Sequence, residues 1–346
     1  MAENQQFHFA IEFAAVPFVV LAVHGSGCIL HRAAGIEAVD STMHTLTEDD
    51  VRQRLDPERL IAALEVAFRD RYPSTEIPLR MHINLGVGMF LIMPCYDRSS
   101  SALGMKLVTV QENPAPPQDR IQATYMLFDP KTASPKLIIP ANYLTDVRTA
   151  GTSALATKFL ASQDAKTLGI FGTGRQARAH LQVLPLVRDF QRALVCGRTP
   201  VESEAFAREV SSKIPVTPAD ASSVSAESDV ICSCTTSQGP LFDGKRIRPG
   251  THFNLVGAFQ PHTREVDSIT VKRSRLYVDT YEACLAEAGD LLIPMKEGVI
   301  AREDVTADLH ELVARKKAGR NAADQITLFK SVGCALEDLV AAELLL

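Results

Sequence analysis

Residues Thr167–Ala177, TLGIFGTGRQA, run from a strand pattern through a glycine turn into a helix, and their reading decides the fold. Leu168, Ile170 and Phe171 form an apolar run suited to a buried strand. Gly172 and Gly174 follow, and Ala177 completes the pattern G-x-G-x-x-A. The first glycine permits a tight turn, the second lets backbone approach a pyrophosphate, and the small third residue lets helix pack on strand. The helix N-terminus then faces the phosphate charge. The string alone is a weak signal, because an ordinary glycine-bearing βα turn can show it. Its position between a strand pattern and the helical pattern 177–187 points to dinucleotide binding.

Downstream, the order is strand 193–196, helix 201–211, a short strand around Val216, helix 221–226, strand 229–232, strand 251–257 and strand 275–279. Such alternation implies a doubly wound parallel sheet with helices on both faces, a Rossmann-type domain. Ligands of these sheets bind beyond the carboxyl ends of the strands. The ends to watch are Gly197-Arg198-Thr199, Cys234-Thr235-Thr236 and Gly257-Ala258-Phe259. Folds that prefer NAD usually place Asp or Glu at the first of these, against the ribose 2′-hydroxyl. Here Arg198 and Thr199 stand there instead, a match for a 2′-phosphate, so NADPH is expected, with NADH possible if Arg198 only stacks on adenine.

Upstream, Thr45–Asp50 opens a helix with a threonine cap and early acids, and Leu60, Ile61, Leu64 and Phe68 fall at helical spacing after Pro57. Strand-like segments 79–85, 89–96, 104–110, 121–128 and 136–140 follow, separated by Gly, Pro, Ser and Asn clusters. They suggest a mixed or antiparallel sheet in a second, α+β domain that holds substrate and contacts a partner subunit. Three cations stand out there: Arg80, Lys106, and Arg148 at the start of a helical stretch 148–161. Each alone reads as a solvated charge. Lys106 is more telling, because Leu103, Met105, Leu107 and Val108 surround it and a partly buried ammonium needs an anionic partner. A bound carboxylate is one candidate.

The chain of 346 residues is 46% hydrophobic with a formal charge of −5, long enough for two domains and without a basic footprint for nucleic acid. Its seven cysteines are scattered and mostly set in apolar runs, which suits buried thiols in the cytoplasm. Cys232-Ser-Cys234 lacks a second cluster at zinc spacing, so no metal is expected. The apolar run 13–23 is too short to span a bilayer, and the MAENQQ before it has no Lys or Arg, so neither membrane nor export is expected. Residues 1–42 read as an extension outside the working fold. The tail 325–346, a strand-like start, Ser331-Val332-Gly333 and an apolar helix, is expected to return to the first domain. The expected division is 43–147 with 318–346 for the substrate domain and 148–317 for the dinucleotide domain.

From Met43 onward the chain resembles the ornithine cyclodeaminase and μ-crystallin family. The motifs are GMKLVTVQENP around Lys106, LTDVRTAGTSALATKFLA around Arg148, FGTGRQA, HFNLVGAFQPHTREVD, AGDLLIP with Asp290, and KSVGCALEDLVAA. The resemblance implies NAD(P)H chemistry on an imine or amine carbon beside a carboxylate, and a homodimer. It matches Arg80 to the substrate-carboxylate arginine, Lys106 to the active-site lysine, and Arg148 to an arginine near substrate and cofactor. It places cofactor on Gly172, Thr173, Gly174, Arg175, Gln176 and Ala177, on Arg198 and Thr199, and on Thr235, Val256, Gly257 and Ser331. Met93 and Phe259 would line the substrate pocket.

One departure matters. Cyclodeaminases of the family carry an aspartate where this chain has Phe259, and a phenyl ring cannot take a proton. The pattern here is similar to the branch that reduces Δ1-pyrroline-2-carboxylate and Δ1-piperideine-2-carboxylate to proline and pipecolate. Ornithine cyclodeamination, alanine oxidation and small-ligand carriage in the manner of μ-crystallin stand as alternatives.

Overall fold

Alternation of inward and outward side chains builds the first sheet. In the computed structural model, which describes residues 43–111 and 119–346, strands Gly88–Asp97 and Ala102–Gln111 bury every second residue over most of their length. Their register pairs Met93 with Lys106 and Lys106 with Tyr125 of the next strand, Ile121–Phe128, so these three side chains leave the sheet on one face. Pro135–Pro140 continues the antiparallel order, and the two-residue strand His44–Thr45 adds to its far side in parallel. At the other edge, Met81–Asn84 pairs with Gly88–Asp97. The reading of 1–42 as an extension lies outside the described residues.

Three helices pack over the inner face, two of them directly on the strands. Pro57–Val66 buries Leu60, Ile61 and Leu64, as its spacing requires, with Asp56 capping it. Ala335–Glu343 is buried along nearly its whole length. The third, Asn142–Leu160, is buried on every side from Ala150 to Thr157, which marks it as the central helix of the molecule. Gly151 lets it approach Pro57–Val66, since a Cβ there would meet Leu64 Cδ1 at 3.2 Å.

The second sheet has eight parallel strands, in the order Val216–Pro218, Arg192–Cys196, Thr167–Phe171, Val230–Ser233, His252–Leu255, Ile326–Lys330, Ser274–Val278 and Val305–Asp308. The chain winds outward in both directions from Thr167–Phe171, so the strand order reverses beside Val230–Ser233, the place where doubly wound sheets bind ligands. Thr167–Phe171 is buried throughout, as a strand covered on both faces must be.

Two expectations need correction. The helix carrying Arg148 begins at Asn142, so a division at 147/148 cuts a continuous helix. The strand at the head of the tail does not join the first sheet. Ile326–Lys330 inserts into the parallel sheet between His252–Leu255 and Ser274–Val278, and only the helix after it returns to the first sheet. An apolar strand of five residues fits either sheet, and periodicity alone does not choose between them.

Candidate active site

The carboxyl ends of the parallel strands and the inner face of the antiparallel sheet enclose a cavity of about 290 Å³. Sequence-separated residues meet there: Arg80 just ahead of the edge strand Met81–Asn84, Met93 and Lys106 from the first sheet, Arg148 from the central helix, and Gln176 from the helix after the glycine turn. Thr235, Val256, Gly257, Phe259 and Ser331 arrive from the strand ends.

Each of the three cations is matched by a protein carboxylate. Lys106 Nζ donates to Asp338 Oδ1 at 2.7 Å, and both side chains are almost wholly buried. Arg148 donates to Glu337 Oε2 at 2.5 Å and lies 2.9 Å from Asp338 Oδ1 through Nε, an ion pair without hydrogen-bond alignment. Arg80 pairs with Glu287, which also meets His82 Nε2 at 3.1 Å. The second Arg80 arm donates to the Val332 carbonyl at 2.8 Å, and its buried Nε is unpartnered among the described residues. Its guanidinium stands over the Phe259 ring, 5.4 Å from the centroid. The partner expected for Lys106 was a bound carboxylate; the protein itself supplies one.

Burial, and then the Arg148 charge, pull the Lys106 ammonium down to about 8, against Asp338 and Glu337. Burial pushes the Glu337 carboxyl up to about 7, with Arg148 opposing. Arg148 stays charged, because its two carboxylates outweigh its desolvation.

The cofactor side begins at the glycine turn. Gly172 has φ +107°, and a Cβ there would meet the Cys234 carbonyl oxygen at 2.6 Å. Gly174 caps the helix Arg175–Val183 without a side-chain cap, and open space lies where its Cβ would be. This is the uncapped, glycine-cleared helix end that a pyrophosphate fits. Thr173 packs against Gly197, and Ala177 is fully buried against the sheet side, as the motif requires. The Arg175 guanidinium turns away to Asp146 and Asp119, which leaves its backbone N–H as its contribution. Gln176 also reaches Asp146.

Arg198 is exposed and free to meet a ligand, 3.6 Å from Glu202. Thr199 caps the next helix, accepting from the Glu202 N–H, while the Glu202 carboxylate accepts the N–H groups of Arg198 and Thr199. An acid therefore does sit at this turn, placed there by a capping box rather than at the strand end.

Buried carboxylates fix the remaining strand ends. Glu265 accepts from Ser233 Oγ, Thr235 N and Oγ1, and the N–H groups of Gly257 and Ala258. Five donors, three of them backbone N–H groups, converge on it and favour its charged form, while burial pushes its pKa up. Asp290 accepts from Glu265 N at 2.7 Å and lies 2.9 Å from Lys330 Nζ. Asp279 holds Ser331 Oγ and the N–H groups of Val332 and Gly333, each at 2.8 Å.

A profile of the ornithine cyclodeaminase/mu-crystallin family matches residues 41–346. The chain belongs to that family. Among relatives of the ornithine cyclodeaminase/mu-crystallin family, a Δ1-pyrroline-2-carboxylate reductase of Bacillus cereus is 37% identical over 311 residues, 88% of this chain and 95% of the relative. The solved Δ1-pyrroline-2-carboxylate reductase of Thermococcus litoralis, in complex with NADH and L-proline, superposes with a TM-score of 0.85 at 39% identity, covering 88% of this chain and 96% of that one. An archaeal alanine dehydrogenase dimer with bound NAD gives 0.82 at 27% identity, covering 88% and 94%.

Sequence reasoning missed the carboxylates that pair with or brace the site residues: Asp338, Glu337, Glu287, Glu265 and Asp279. One signal was available, the adjacent acids Glu337-Asp338 inside an otherwise apolar helix. Nothing local marks Glu287 or Glu265 as belonging to a site.

Proposed function

We propose that this protein is an NADPH-dependent ketimine reductase that converts Δ1-pyrroline-2-carboxylate or Δ1-piperideine-2-carboxylate to L-proline or L-pipecolate. The observation that carries the reading is a buried ammonium, Lys106, lining the same cavity as Arg80 and as Phe259, with the phenyl ring where a cyclodeaminase needs an acid. The reductase relatives support it.

A reduced nicotinamide cofactor supplies the hydride when bound. Gly172, Gly174 and the helix N-terminus behind them would hold its pyrophosphate, and Thr235, Val256, Gly257 and Ser331 would line its reactive end. Arg198, the exposed cation at the ribose turn, favours NADPH, while Glu202 at the same turn leaves NADH usable. Arg80 offers its unpartnered Nε to the substrate carboxylate, and Glu287 retains His82 as the carboxylate moves in. Phe259 and Met93 cover the aliphatic ring. Lys106, pulled down to about 8 by burial and Arg148, gives a proton to the ring nitrogen, since an iminium is the better hydride acceptor. Arg148 holds Glu337 and Asp338 in place behind it.

The chain would act as a homodimer. Leu79, Met81, Ile83, Leu85 and Val87 alternate along the edge hairpin and are all exposed, an apolar row that calls for cover. Light scattering should give twice the chain mass; a monomer would remove this part. No helix among the described residues is long and apolar enough to cross a membrane, and the six described cysteines are free, which supports a reducing compartment, the cytoplasm.

The test is oxidation of NADPH with Δ1-pyrroline-2-carboxylate, run beside NADH and beside pyruvate plus ammonia. Fast oxidation with the cyclic imine supports the reading. Activity confined to pyruvate and ammonia would replace it with an alanine dehydrogenase.

A further inference from the structure

Lys106 can serve as a proton source only if something keeps the proton on it, and two of its surroundings work against that. Its side chain is 1% exposed, and Arg148, a permanent cation, shares Asp338 with it. The groups facing it come from four elements. Arg148 comes from the central helix, and Asp338 and Glu337 come from the C-terminal helix. Tyr125 and Cys95 lie on the flanking strands, and with Cys334 they are held neutral by burial. Glu337 is engaged by Arg148 and by the Cys334 N–H. Among the described residues only Asp338 hydrogen-bonds Nζ, and its second oxygen, Oδ2, is buried with no partner. Among the described residues, the cations that the charge of Asp338 meets are Lys106 and Arg148.

We propose that Asp338 is a positioning residue for the reduction: from the C-terminal helix it aims the Lys106 ammonium at the cavity and holds it in its protonated form. The inference rests on Lys106 as the proton source. In the proton step one N–H bond of Lys106 breaks and one forms on the ring nitrogen. The bonding pair stays on Nζ, and solvent returns a proton to the amine after product leaves. Asp338 moves no proton itself. A carboxylate in contact with an ammonium favours the charged form, whereas burial and a neighbouring cation oppose it. Removing Asp338 leaves only the opposing influences and the more distant Glu337.

The experiment compares the unmodified chain with Asp338→Asn and Asp338→Glu. The alkaline limb of kcat/KM should move down by about one pH unit in Asp338→Asn, so that kcat/KM falls about twofold near neutrality and about tenfold near pH 9, and recovers on acidification. NADPH affinity should stay within about twofold, and Asp338→Glu should retain the original limb. Lys106 is also followed without substrate through the chemical shift of its Nζ, which should titrate lower in Asp338→Asn. In the unmodified chain the Cγ shift of Asp338 should move with the same midpoint as Lys106. That readout decides the inference even if the cyclic imine proves to be the wrong substrate or the Asn variant does not fold. A uniform loss of turnover with both the limb and the Nζ titration unmoved would make Asp338 merely structural. An Asp338 shift that ignores Lys106 would overturn the inference as well.

Discussion

Two buried charge networks flank the cavity, and they differ in what their carboxylates hold. On the substrate side, Asp338 and Glu337 face side-chain cations, Lys106 and Arg148, and Lys106 opens onto the cavity. On the cofactor side, Glu265 and Asp279 accept mainly backbone N–H groups at Thr235, Gly257, Ala258, Val332 and Gly333. Under the proposed function the first network changes charge during the reaction. The second fixes where the strand ends sit, and its ammonium, Lys330, is held by Asp290 behind the strand ends and is not among the residues lining the cavity. Burial raises the stakes in both, because an unmatched buried charge costs far more than an exposed one. The partner type decides whether the result is chemistry or geometry.

The largest expected effect tests the first half of the contrast. Lys106→Met should lower turnover about a hundredfold or more while changing NADPH affinity by less than about threefold. Steady-state kinetics beside a binding titration checks this, and a variant that turns over normally would take Lys106 out of the proton step.

Stability against pH separates the networks next. Lys106 titrates near 8 in the folded chain, below its ordinary 10.5, so the unfolded chain binds the extra proton between those values and stability should rise with pH across that window. The rise amounts to about 3 kcal/mol at most and should vanish in Lys106→Met. Lys330 has the opposite sign: burial pulls it down, but Asp290 and Glu265 outweigh burial, so its contribution is present below 10.5 and is lost only at higher pH. Denaturant midpoints across the alkaline range read both.

Glu265→Gln tests the second half. An amide can accept at only one end, so the variant should lose about 1–3 kcal/mol of stability through stranded donors and about tenfold in cofactor affinity. Its pH–rate profile should keep the limbs of the unmodified chain. A shifted profile with intact affinity would break the distinction between the two networks. The smallest effect belongs to the exposed rim, where Arg198→Ala should weaken NADPH about tenfold and leave NADH and thermal stability unchanged. Equal loss for both cofactors would mean that Arg198 does not read the 2′-phosphate.

The glycine turn, the strand and helix alternation around it, and Lys106 were legible because each leaves a local trace, whereas Arg80 and Arg148 each read alone as solvated charges and gained a role only through the family resemblance. Glycines recur at fixed spacing, apolar runs recur at strand and helix periods, and Lys106 interrupts an apolar strand. The counter-charges left none. Asp338 lies 232 positions from Lys106 and Glu287 lies 207 from Arg80, so only the folded topology brings them together. The strand Ile326–Lys330 shows the same limit at the level of the fold. Its apolar pattern told that it is buried, and the sheet that buries it is chosen by a crossover no short window contains.

The most direct measurement follows product and cofactor together: chiral analysis of the amino acid formed from Δ1-pyrroline-2-carboxylate, beside the NADPH consumed. The account predicts L-proline and oxidised cofactor in equal amounts. Proline formed from ornithine with release of ammonia and no net cofactor consumption, alongside silence on the cyclic imine, would contradict it.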